Sequence, residues 1–82
     1  MSKTIYLYTT VGCHLCEMAQ AIVQPLAMGA GLTLALVEIS EEEALVEKYG
    51  IRIPVIRIED REDDLGWPFD VQQAEGYLVG QN

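Results

Sequence analysis

Residues 4–16 read Thr4-Ile5-Tyr6-Leu7-Tyr8-Thr9-Thr10-Val11-Gly12-Cys13-His14-Leu15-Cys16, and this stretch decides the fold. Its opening, Thr4 to Tyr8, is β-branched and aromatic, the composition of a strand. Thr9, Thr10 and Gly12 then bring the strand to a loop. From Leu15 the apolar residues fall at Leu15, Met18, Ala19, Ile22, Val23, Leu26 and Ala27. Those steps of three and four trace the stripe of an amphipathic helix. A strand, a glycine loop and a helix therefore follow one another, and both cysteines of the chain sit at the junction.

Working outward, Pro25 should kink that helix or end its regular part, and Gly29 and Gly31 mark the exit. The almost continuously apolar run from Leu32 to Ile39 predicts a strand covered on both faces. Ser40 with Glu43 reads as a capping box for a second helix, running to Tyr49 and stopping at Gly50. Pro54 to Ile58 predicts a third strand, whose first position tolerates proline. The segment 59–64 holds five acids and one arginine, a solvated turn. Leu65 to Phe69 can return beside the third strand as a hairpin partner. Asp70 with Gln73 resembles another helix start. Val71, Ala74 and Leu78 share one face of that last helix, which Gly76 weakens and Gly80 ends. The order is β-α-β-α-β-β-α, with a crossover that makes the first two strands parallel neighbours.

The chain of 82 residues is the size of one domain. Half of it is apolar or aromatic, as in globular rather than disordered proteins. Thirteen acids against five bases give a net charge of −8. That argues against nucleic acid, whose phosphates call for clustered Lys and Arg. No basic segment leading into an apolar core follows Met1, and no apolar run reaches the roughly 18–20 residues of a membrane span. A cytoplasmic protein with no membrane partner is the expectation. Two cysteines in one tetrapeptide exclude a disulfide framework and leave redox chemistry, metal or accident.

Placed at the mouth of a helix, Cys13 meets unpaired backbone N–H groups and the positive end of the helix dipole, with Cys16 one turn further in. Residues three apart are neighbours at about 5–6 Å, within the span of a disulfide. Both influences favour the thiolate, the form that attacks disulfides. Bringing a thiol from about 8.5 to about 7 takes roughly 2 kcal/mol. The dipole gives about 0.3–1 kcal/mol, so N–H contacts at the helix start, including that of Cys16, must supply the rest. His14 could assist when protonated; its plainer reading is a solvent-facing helix-start residue. The plain alternative, two small buried hydrophobes paired by chance, is disfavoured by their place between a strand and a helix. A zinc site needs four ligands, which this chain reaches only by pooling them across two copies.

A first strand, Cys13-His14-Leu15-Cys16 at a helix start and Ile53-Pro54 opening a later strand together resemble the thioredoxin superfamily. The size resembles its glutaredoxin branch. The runs Tyr49-Gly50-Ile51-Arg52-Ile53-Pro54-Val55-Ile56 and Leu65-Gly66-Trp67-Pro68-Phe69-Asp70 resemble the small bacterial glutaredoxin-like proteins. The resemblance implies an α/β thioredoxin/glutaredoxin-like fold, with a central four-stranded mixed sheet flanked by helices and spanning residues 1–82 as a single domain.

It also implies roles. Cys13 would be the nucleophile and Cys16 the resolving thiol of a thiol–disulfide oxidoreductase. Pro54 would be a cis-proline facing the dithiol, leaving the Ile53 backbone free to pair with an extended substrate peptide. Arg52 would approach the dithiol and favour a thiolate or a substrate carboxylate, or else be an ordinary strand-edge arginine. Trp67 would line the substrate groove or pack between hairpin and last helix. Asp70 would hold the amino group of glutathione. Trp67 replaces the second glycine of the usual pair, no basic residue lies in Thr9–Gly12, and His14-Leu15 replaces Pro-Tyr. These departures weigh against glutathione binding and leave the dithiol chemistry untouched. The implied protein is a monomer without metal or cofactor, with glutathione at most a co-substrate. It would act on a disulfide-containing small molecule or protein and draw electrons from glutathione or a reductase. The rival reading is a binding scaffold whose cysteines hold a metal or an iron–sulfur cluster between two chains. An adaptor with a vestigial dithiol is a third.

Overall fold

The fold is organised around β1 (Thr4–Thr9), which pairs in parallel with β2 (Thr33–Glu38) and antiparallel with β3 (Val55–Ile58). β4 (Leu65–Gly66) adds antiparallel to β3, so the sheet runs β2-β1-β3-β4. Helices α1 (His14–Gly29), α2 (Glu43–Tyr49) and α3 (Val71–Val79) complete a computed structural model that describes residues 3–79. Gly80, expected to end the last helix, lies outside the described residues.

The alternation of β1 sends side chains to two different cores. Ile5 and Leu7 join Ala19, Val23 and Ala27 of α1, Ile56 and Ile58 of β3, and Ala74 and Leu78 of α3 in an aliphatic cluster. On the other face Tyr8 packs with Ile39, Tyr49 and Val55 against α2. Successive strand residues point to opposite faces, so one strand serves both cores. α3 opens on the expected capping box. The Asp70 N–H donates to Gln73 Oε1 at 3.0 Å, and the Gln73 N–H to Asp70 Oδ1 at 2.8 Å. Phe69, just before the cap, is buried in the same cluster as Ala74, the pairing of a hydrophobic staple.

Several local expectations are corrected. β2 is not covered on both faces: it is an edge strand, and Leu36 is 52% exposed. An edge strand has a neighbour on one side only, so the layers above and below cover it incompletely. Ser40 and Glu43 form no capping box. Buried Ile39 pins a 3-10 turn over Ile39–Glu41, and the Ser40 N–H donates to Glu38 Oε2 at 3.0 Å. α2 then starts after Glu42, without a side-chain cap. Pro25 does not end α1, which continues to Gly29. Pro25 and Ala21 both lie on its exposed side, where water can take the carbonyl that proline leaves unbonded. β4 stops at Gly66 rather than Phe69, since Pro68 offers no N–H to extend the ladder. Val71 is exposed, so the buried face of α3 is carried by Ala74 and Leu78.

Candidate active site

The loop joining β1 to α1 turns through Gly12, whose φ of +82° belongs to the left-handed region. A side chain there would meet nothing within 4 Å, so the glycine serves the backbone rather than the packing. The turn delivers Cys13, in an extended conformation, as the N-cap of α1. Its N–H donates to the Thr10 carbonyl at 3.2 Å. Cys16 falls on the helix stripe shared with Ala19, Val23 and Ala27 and is only 3% exposed, whereas Cys13 lies off the stripe and is partly open to solvent. The two are joined as a disulfide with Cα atoms 5.2 Å apart. The Cys13 sulfur also accepts the Cys16 N–H at 3.1 Å. Periodicity thus leaves one cysteine partly exposed and buries the other.

Tyr8 of β1 pairs with Val55 of β3, so the end of β1 that leads to Cys13 is the end at which Pro54 enters the sheet. The Ile53–Pro54 peptide is cis, as is Trp67–Pro68. Trp67 reaches the same end, its N–H donating to the Pro54 carbonyl at 2.9 Å. Large apolar side chains are exposed in the two loops that meet there: Val11 is 89% and Ile51 102% exposed. Leu15, between the cysteines, is also exposed. Sequence reading passed over Val11 and Ile51. Their signal is an apolar residue inside a loop that should be polar.

The other candidate residues are engaged within the protein. The Ile53 N–H donates to the Tyr49 carbonyl at 3.0 Å, because α2 ends in a turn that reuses that carbonyl. Of the Ile53 backbone, expected to be free, only the carbonyl is therefore unpartnered among the described residues. Arg52 clamps Asp64, with Nη1 3.2 Å from Oδ2 and Nη2 on Oδ1, and that hydrogen bond holds its charged form. Trp67 packs edge-on to Phe69, ring centroids 5.1 Å apart, and stays partly exposed. Asp70 uses Oδ1 in the cap of α3. His14 is exposed, with Nδ1 3.8 Å from Glu17 Oε1. Among the described residues, no group of three or more His, Cys, Asp or Glu side chains could hold a metal ion. Nor is any helix among them long and apolar enough to cross a membrane.

Comparison with known proteins agrees with this geometry. A family model described as Glutaredoxin-like domain (DUF836) matches residues 4–78. The X-ray structure of a structural genomics target protein from X. campestris is similar at 31% identity and a TM-score of 0.81, covering 95% of this chain and 99% of the other. A malarial protein is similar in fold alone, with 15% identity and a TM-score of 0.68 over 99% of this chain and 97% of that one. No curated protein matches the sequence.

Proposed function

The chain belongs to the glutaredoxin-like domain family (DUF836), and from that premise we propose that it is a thiol–disulfide oxidoreductase. The observation that carries the reading is the asymmetry of the Cys13–Cys16 pair, one residue partly exposed at a helix start and the other buried behind it. In the reduced state the Cys13 thiolate attacks one sulfur of a substrate disulfide. The substrate's other sulfur leaves as a thiolate, and a mixed disulfide forms on Cys13. The Cys16 thiolate then attacks the Cys13 sulfur, expels the reduced substrate and closes the intramolecular disulfide. A thiol donor, glutathione or a reductase, restores both thiols by two electrons. The Cys16 N–H, aimed at the Cys13 sulfur, stabilises its charge both as attacking and as leaving group.

Asp70, the residue that would hold the glutathione amino group, has Oδ1 committed to the α3 cap, and Arg52 is paired with Asp64. Together with the exposed Val11 and Ile51, this supports a protein disulfide flanked by apolar residues as substrate, over a tightly held tripeptide. The reading assigns the protein to the cytoplasm, where thiol donors are kept reduced. The decisive experiment compares reduction of a protein disulfide with that of a glutathione mixed disulfide, using glutathione and then thioredoxin reductase as donor. Cys13→Ser should abolish reduction of both, and Cys16→Ser should accumulate a mixed disulfide visible by intact-protein mass. Undiminished reduction by Cys13→Ser would sink the mechanism.

A further inference from the structure

Of the five basic side chains, three meet carboxylates: Lys3 with Asp60 at 4.0 Å, Arg52 with Asp64 and Arg61 with Asp63. Lys48 and Arg57 have no carboxylate partner among the described residues, although acids outnumber bases thirteen to five. Both line one cavity of about 460 Å³ on the α2 face of the sheet. A volume in the range of roughly 300–1,000 Å³ is that of ordinary small-molecule sites. The cavity does not include Cys13, Cys16 or Pro54 in its walls.

Arg57 is held in place rather than left to wander. Its Nε donates to the Tyr8 hydroxyl at 3.2 Å and its Nη1 to the Arg61 carbonyl at 2.8 Å. Its guanidinium also lies over the Tyr6 ring, 5.2 Å from the centroid. The remaining nitrogen, Nη2, is left for a ligand. Lys48 stands 5.3 Å from the centroid of Tyr49, which is stacked on Tyr8 at 4.1 Å. These rings are buried beneath the cavity floor, and half-buried Leu45 supplies its apolar wall. Arg61, neutralised by Asp63, and the carboxylate of Glu62 close the rim.

We propose that this cavity binds a small organic oxyanion, its phosphate or carboxylate head held between Lys48 and Arg57 and its short apolar body against Leu45. A fixed guanidinium supplies direction and the ammonium a movable point charge, the combination that suits an oxyanion. Glu62 and the net charge of −8 repel an extended polyanion, so the ligand is a small molecule rather than a nucleic acid.

The test titrates the full chain at constant ionic strength with phenyl phosphate and with benzoate, following backbone amide resonances. Inorganic phosphate supplies the head alone and benzyl alcohol the body alone. One or both organic anions should saturate shifts at Leu45, Lys48, Tyr49, Arg57 and Glu62, and which of them binds identifies the head. Lys48→Gln, an exposed position whose loss leaves the core intact, should weaken binding about tenfold or more, as expected for a charged hydrogen bond. Arg57→Gln should do the same, with its fold checked by the same spectra. Lack of saturation by either anion, shifts centred elsewhere, or unchanged affinity in Lys48→Gln would overturn the proposal. So would equal binding of inorganic phosphate or of benzyl alcohol, which would remove the need for a head joined to a body.

Discussion

At the start of α3, Asp70 and Gln73 take each other's N–H groups in reciprocal hydrogen bonds of 2.8 and 3.0 Å. At the start of α1 the corresponding acceptor is the sulfur of Cys13, 3.1 Å from the Cys16 N–H. Both helices begin with the same orphan donors. A carboxylate satisfies them well and is chemically finished. A sulfur satisfies them poorly when it is neutral or disulfide-bonded. As a thiolate it gains charge-assisted hydrogen bonding and the favourable end of the dipole. The difference teaches that the α1 start forgoes some static stability, and that the donors left wanting are those that favour the reactive anion.

The largest effect should come from making the two starts alike. Cys13→Asp gives α1 a carboxylate cap: disulfide reduction should be lost altogether. Urea unfolding should nevertheless show this variant more stable than Cys13→Ala by about 1 kcal/mol. Equal stability of the two would mean that α1 has no capping deficit, and the comparison would fail.

A smaller effect is expected at the other helix. Asp70→Ala should cost about 1 kcal/mol, within the roughly 0.5–2 kcal/mol of a lost cap. Asp70→Asn, which keeps the cap and drops the charge, should unfold close to the parent. If Asp70 is a cap alone, the Asn variant also keeps the parent KM for a glutathione mixed disulfide. A raised KM with normal stability would show the carboxylate gripping substrate as well.

The smallest effect belongs to the 3-10 turn, capped by Glu38. Hydrogen bonds from Ser40 hold the Glu38 carboxyl below its ordinary value of 4.5. A lowered folded value means stability that is present above the ordinary carboxylate range and lost as pH falls through it toward the folded value. Glu38→Gln should therefore lower the neutral plateau slightly and converge with the parent in acid, which flattens the acid limb of the stability profile. Tm measured from pH 7 to pH 3 would show it.

Legibility in the sequence followed the range of the interactions. β1, α1, the cysteine junction and the Asp70–Gln73 box depend on neighbours within about one turn, and their residue types announced them. The place of β2 in the sheet did not show, because an apolar run records burial in general and not which side lacks a neighbour. Ser40 and Glu43 carried a valid local signal that buried Ile39 overrode by pinning a different turn. At the site, the positions of Cys13 and Cys16 were readable from helical spacing. The partners of Arg52 and Trp67 were not: Asp64 lies across the hairpin, and Phe69 belongs to a core cluster assembled from β1, β3, α1 and α3. The Tyr8–Arg57 contact joins residues 49 positions apart, beyond the reach of any local pattern.

The edge position of β2 has a colloidal consequence. Among the described residues its outer side pairs with no strand, and half-exposed Leu36 sits along it. Such an edge is a template on which a second copy could add a strand. Mutual repulsion between chains of net charge −8 holds copies apart at neutral pH. The excess of carboxylates thus acts as a dispersant for the sheet. That protection weakens as salt shortens the reach of the charges, or as acid removes them, while the strand beneath is unchanged.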